Sequence, residues 1–158
     1  MNIAGTEYTL KHKAFDIYVS GCTHNCYNCF NPQAQDFNYG KQLDMKSLMT
    51  KIIENRNMID NIRIFGGDIC CQNEGEAYYF LSNLAKLGIP LTVYTGKDKD
   101  DIWLWLWDIC DGIKCGKYID ELKCDPNSKE AELYGSTNQI FYKKVNGNWE
   151  VLSIKGEE

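Results

Sequence analysis

A chain of 158 residues, 44% hydrophobic and 13% aromatic, has the size of one ordinary domain and enough apolar surface for a core, which excludes a disordered chain. It is too short for a complete eight-stranded α/β barrel, which needs upward of about 200 residues. A formal charge of -5, with Arg56 and Arg63 the two arginines among 17 basic residues, leaves no electrostatic footprint for a phosphate backbone, so nucleic-acid binding is not expected.

The start MNIAGTEYTLKHKAF lacks an apolar stretch behind a basic one, and no run of about 18 apolar residues occurs. Neither a secretion signal nor a membrane span is expected, and the cytosol is the expected location. Cytosolic thiols stay reduced, so the eight cysteines read first as metal ligands, catalytic groups or small buried side chains rather than cross-links.

In chain order, FDIYVS at 15–20 is apolar and β-branched enough for a buried strand ending at Gly21. A polar loop runs to about residue 43. Met45, Leu48, Met49, Ile52 and Ile53 then recur at helical spacing, with Asp44 available as N-cap. NIRIF at 61–65 reads as a second strand, cut off by Gly66 and Gly67. Ala77, Phe80, Leu81, Leu84 and Leu87 form one helical stripe, stopped by a left-handed cap at Gly88 and by Pro90.

LTVYT at 91–95 is the next strand. IWLWLWDIC at 102–110 alternates its tryptophans like a strand, but its place between strands calls for a short buried helix. NQIFYKK and NWEVLSI flank Asn146-Gly147 and predict a closing hairpin. No repeat or linker interrupts the chain, so residues 1–158 are expected to form a single domain. Strands alternating with helices predict βαβ units around a mostly parallel sheet.

The residues that carry chemistry lie in GCTHNCYNCFN at 21–31, where Cys22, Cys26 and Cys29 are spaced C-x3-C-x2-C directly after the first strand. Three thiolates in one loop hold three irons of a cubane cluster and leave the fourth iron open. With His24 added, the same loop offers four ligands for zinc, the alternative reading. In α/β sheets ligands bind beyond the carboxyl ends of the strands. Gly66-Gly67-Asp68 follows the second strand and would lie beside the cysteine loop, its glycines allowing close backbone approach and Asp68 offering an acceptor for an ammonium group.

These motifs resemble those of the radical S-adenosylmethionine superfamily, whose hallmark is the C-x3-C-x2-C loop with a Gly-Gly-acid turn after the second strand. Within it the chain is similar to the activating proteins of anaerobic (class III) ribonucleotide reductases. VSGCTHNCYNCFN at 19–31, GGD at 66–68, VYTG at 93–96, KYIDELK at 117–123 and GSTNQ at 135–139 carry the likeness. The resemblance implies an incomplete barrel of about five or six mostly parallel strands with flanking helices and a C-terminal hairpin.

It also implies a 4Fe-4S cluster on Cys22, Cys26 and Cys29, with S-adenosyl-L-methionine chelating the open iron. Asn28, Cys29 and Phe30 would line the S-adenosyl-L-methionine pocket, and Gly66, Gly67 and Asp68 would hold its methionyl end. The resulting 5′-deoxyadenosyl radical would take hydrogen from a backbone glycine of the reductase's glycyl-radical subunit, with a low-potential donor such as flavodoxin supplying the electron. No side chain is expected to act as a catalytic acid or base.

An activase of another glycyl-radical enzyme, of the pyruvate formate-lyase type, and a non-catalytic zinc or iron-sulfur interaction module are the competing readings. The chain departs from the resembled pattern at Ile69, which stands where proline is usual, and at the following Cys70 and Cys71. Tyr134 replaces a common arginine, and Cys115 an aspartate. Cys70, Cys71, Cys110, Cys115 and Cys124 read mostly as small buried side chains, without a second metal.

Overall fold

Strict alternation in four short strands gives this sheet one apolar face and one polar, aromatic face. The fold was read from a computed structural model in which residues 1–152 are described. The last two residues of the expected NWEVLSI strand lie outside them. The elements are β1 (Asn2–Thr9), β2 (Ala14–Val19), β3 (Lys41–Gln42), α1 (Met45–Glu54), β4 (Asn61–Gly66), α2 (Glu74–Ala85), β5 (Leu91–Tyr94), α3 (Leu104–Ile109), β6 (Gly112–Cys115), β7 (Ile140–Val145) and β8 (Asn148–Leu152).

Among the described residues, all eight strands join one open sheet in the order β3-β1-β2-β4-β5-β6-β7-β8. Its centre, β2-β4-β5-β6, is parallel. The flanks are antiparallel on both sides. The expectation of five or six mostly parallel strands is therefore corrected to eight, of which four are parallel to one another. The additional strands leave little trace in the residue pattern for physical reasons. β1 is a half-exposed strand with a register shift between Ile3 and Gly5, β3 is two exposed residues, and β6 breaks its apolar run with Lys114.

Phe15, Ile17, Ile62, Ile64, Val93 and Ile113 point from the central strands to one side, where Ile52 of α1, Phe80, Leu81 and Leu84 of α2 and Leu106 of α3 bury them. The helices start and stop as their sequences demand. Ser47 donates its amide to the Asp44 carboxylate at 3.1 Å, capping α1. Gly88 takes φ +69 just beyond α2, and its amide closes back on Ala85 at 3.2 Å. The β7–β8 hairpin forms around Asn146 and Gly147, both at positive φ.

The tryptophan segment is a helix of six residues, but it is half-buried rather than buried. Leu106 is sealed inside while Leu104 is 84% exposed. Trp103, Trp105 and Trp107 lie along the flank, Trp105 bonded to Glu74 and Trp107 packed edge-on against Trp149. A single helical turn and a half cannot turn every side of itself to a core.

Phe80 is fully buried under the parallel strands. Phe80→Ala is expected to destabilise the protein by about 3–5 kcal/mol, read from urea unfolding.

Candidate metal centre

The carboxyl ends of the parallel strands carry the loops that matter, and backbone bonds fasten those loops to one another. The amide of Gly67 donates to Val19 at 2.7 Å, that of Asp68 to Gly21 at 2.9 Å, and that of Gly21 to Ala34 at 2.7 Å. The Gln72 side-chain amide reaches the carbonyls of Ser20 and Gly21 at 3.0 Å each and that of Asp68 at 3.1 Å. Glycine is required at 66, where φ is +105, and at 67, where a Cβ would stand 2.5 Å from the Gly21 oxygen and 2.6 Å from the Ala34 oxygen. Gly66 lets the turn lie against Val19 of β2, and Gly67 lets it lie against the cysteine loop.

Asp68 is 2% exposed, and its carboxylate is filled by protein donors. One oxygen accepts from the His24 ring at 2.6 Å, the Thr95 hydroxyl at 2.9 Å and the Gly96 amide at 2.8 Å, and the other from the Cys70 amide at 2.8 Å. The cysteine loop, the Gly-Gly-Asp turn and the end of β5 are thereby tied to one buried charge. The Asp68 bond, aided by Cys71, pushes the His24 imidazolium up to about 10 against the opposing effect of its burial.

Cys22, Cys26 and Cys29 are half-buried and line one cavity of about 600 Å³ together with His24, Phe30 and the Gly66-Gly67-Asp68 turn. Asn28 lies outside that lining. It is exposed at φ 53, and its side chain donates to Asp120 at 3.1 Å. Phe30 packs on Tyr118 with ring centroids 4.9 Å apart, and Gly135 lies against both rings.

The GSTNQ segment braces itself. Gln139 accepts from the amides of Gly135 at 2.8 Å and Ser136 at 3.1 Å, and donates to the Gly116 carbonyl at 2.8 Å. Tyr134, at the arginine position, donates to Leu152 at 3.0 Å.

The floor of the cavity is the polar face of the sheet, whose contribution the sequence patterns did not single out. Arg63 grips Asp16 with two bonds of 2.7 Å. Its guanidinium lies over Phe65, which stacks between Tyr18 and Tyr94 at centroid distances of 5.7 and 4.2 Å. The Lys114 ammonium stands 5.5 Å from the Tyr94 ring centre. The period-two alternation in FDIYVS and NIRIF, which puts Asp16 opposite Arg63, is the signal that could have found this face.

A second group of donors was likewise not expected. The ligating atoms of Cys22, His24 and Cys71 lie within 4.8 Å of one another. Cys71 Sγ is 3.7 Å from His24 Nε2 and 3.4 Å from the Thr23 hydroxyl. The bond shared with Cys22 and those from His24 and Thr23 hold the Cys71 thiol low despite its burial, while the same shared bond and burial push Cys22 up. Cys70, Cys110, Cys115 and Cys124 are buried. Burial is the main cause raising each of these four thiols.

Residues 13–142 match the 4Fe-4S single cluster domain family, and the chain belongs to that family. Among curated proteins it is similar to the anaerobic ribonucleoside-triphosphate reductase-activating protein of Enterobacteria phage T4, 27% identical over 143 residues, covering 84% of this chain and 85% of the relative. It is also similar to the protein of the same name from Vibrio cholerae serotype O1, 26% identical over 152 residues, covering 90% and 91% of the two chains. No helix among the described residues is long and apolar enough to cross a membrane.

Three stability measurements probe the site. Asp68→Ala strips the buried carboxylate from its donors and leaves His24 without its counter-charge, an expected loss of about 3–5 kcal/mol. Thr95→Val removes one donor to Asp68 and the acceptor of the Lys97 amide and should lose about 1.5–3 kcal/mol, both read from urea unfolding. Burial lowers Lys114 to about 8. A lysine whose folded pKa is depressed weakens the fold at neutral pH, and that penalty fades as pH rises from about 8 toward about 10.4. Lys114→Met should therefore raise Tm at about pH 7, with the gain shrinking by about pH 10.

Proposed function

We propose that residues 1–158 form a single-domain glycyl-radical activating enzyme of the radical S-adenosylmethionine type, whose substrate is a backbone glycine of an anaerobic ribonucleotide reductase. The observation that carries this reading is the meeting of Cys22, Cys26 and Cys29 with the Gly66-Gly67-Asp68 turn in one cavity at the carboxyl edge of the parallel strands. The near full-length likeness to two activating proteins supports it.

The donors suit an iron-sulfur group. Three soft sulfurs in a half-buried loop match a cubane with one iron left to an exogenous ligand, while His24 is engaged by Asp68 at 2.6 Å. When bound, a 4Fe-4S cluster supplies the electron that cleaves S-adenosyl-L-methionine to methionine and a 5′-deoxyadenosyl radical, which takes the glycine hydrogen.

The chain's own residues bind, place and exclude. Cys22, Cys26 and Cys29 hold the metal. Gly66 and Gly67 offer main-chain groups to the methionyl end, and Asp68 contributes by fixing that turn, since its carboxylate is already taken by protein donors. Cys29 and Phe30 line the nucleotide through backbone and packing contacts, Asn28 acts outside that lining by tying the cysteine loop to Asp120, and Lys114 supplies positive charge to a carboxylate.

A primary alkyl radical is quenched by almost any C–H bond, so the Tyr18-Phe65-Tyr94 wall serves to keep water and stray hydrogens away. No side chain acts as acid or base, because the reactive species comes from the cofactor. The sheet is an incomplete barrel in this reading, and a glycine-bearing loop of the reductase closes its open side. A low-potential donor of the flavodoxin type delivers the electron.

Anaerobic reconstitution tests the proposal. About four irons per chain are expected, with methionine and 5′-deoxyadenosine formed on adding dithionite and S-adenosyl-L-methionine, and a doublet electron-resonance signal on an added anaerobic reductase. Cys26→Ala should keep the fold and drop product formation to background. A colourless protein holding one zinc, or a variant as active as the parent, would sink the assignment.

A further inference from the structure

We propose that Cys22 and Cys71 are a redox pair that closes to an internal disulfide in the metal-free protein, withdrawing Cys22 from ligand duty. The two sulfurs lie within 4.8 Å of each other in a group that also holds the His24 ring nitrogen. Both side chains are half-buried, so a small oxidant can reach them.

Their backbones are fastened on either side of the gap. The Asp68 amide binds the Gly21 carbonyl at 2.9 Å, the Cys71 amide binds the Asp68 carbonyl at 3.1 Å, and Gln72 spans to the carbonyls of Ser20 and Gly21. Thiols held in register this way pay little entropy to bond, and the sulfurs need to close only to about 2.05 Å. Cys70 is the adjoining residue but does not join the group. It is buried, and its amide is committed to Asp68. The pair exists because this chain carries cysteine at 71, in the stretch where it departs from the resembled pattern.

The reaction needs an oxidant, and a small disulfide such as oxidised glutathione serves. The Cys71 sulfur, as thiolate, attacks one glutathione sulfur and expels a glutathione thiolate. The Cys22 sulfur then attacks Cys71 and expels the second glutathione thiolate. One S–S bond is broken and one is formed. Two electrons pass from the protein sulfurs to glutathione, and the two thiol protons end on the released glutathione thiols. The product holds Cys22 in a bond that bars metal ligation. That consequence rests on the function proposed above; the cross-link does not.

The test treats metal-free full-length protein with oxidised glutathione under native conditions, blocks remaining thiols with iodoacetamide and maps peptides by mass spectrometry without reductant. The expected result is loss of two hydrogens and a fragment spectrum joining Cys22 to Cys71. Cys71→Ser should leave Cys22 alkylated, and Cys70→Ser should retain the cross-link. Cys22 joined to Cys26 or Cys29, or still alkylated in the folded wild type, would overturn the pair. Iron uptake separates the two claims. Oxidised protein should load iron only after dithiothreitol; full loading without it would overturn the withdrawal of Cys22. Fully reduced protein that never loads iron would instead count against the proposed function while leaving the cross-link standing.

Discussion

The carboxylate of Asp68 is the constraint on which the site depends. A buried anion is tolerable only when its lone pairs are filled, and here the donors come from three separate segments: His24 in the cysteine loop, Thr95 and Gly96 beyond β5, and Cys70 in its own turn. Each segment follows a different strand. The charge makes their relative positions a condition of stability, so a long loop that could have been loose is held against the sheet edge. Gln72 repeats the device with its amide, spanning the carbonyls of Ser20, Gly21 and Asp68.

The cavity follows from covering one face of the sheet only. A parallel sheet is ordinarily buried on both sides, and the apolar side here is sealed by α1, α2 and α3. The other side carries Asp16, Arg63, Tyr18, Phe65, Tyr94 and Lys114, a floor of stacked rings and charges that could not form a dry core. Its ion pair is satisfied in place by two bonds of 2.7 Å, so the face is ordered without a second layer of helices. The uncovered face lines the cavity, and the segment from Pro126 to Gly135 walls part of it.

Much of the frame was legible in the residues. Periodicity located the two longer helices and three of the parallel strands, because burial of one stripe or one face writes itself directly into the order of apolar residues. The caps at Asp44 and Gly88 were readable because they are local. Harder to see were β1, β3 and β6, which are half-exposed, two residues long or interrupted by a lysine. The pairings of β3 and β6 are set by neighbours distant in the chain. The half-burial of the tryptophan helix was missed for the same reason, since a residue's covering belongs to its neighbours.

The site divides along the same line. From the sequence by itself came the three-cysteine loop, the Gly-Gly-Asp turn and their shared location past strand ends, since spacing along a chain dictates what one loop can hold. Only the tertiary structure decided that the Asp68 carboxylate would be spent on His24, Thr95 and Gly96, that Gly67 would admit a neighbouring loop, and that Cys71 would stand beside Cys22. Such contacts join residues more than 25 positions apart, and their energies depend on burial and direction, quantities that exist only once the chain has closed on itself.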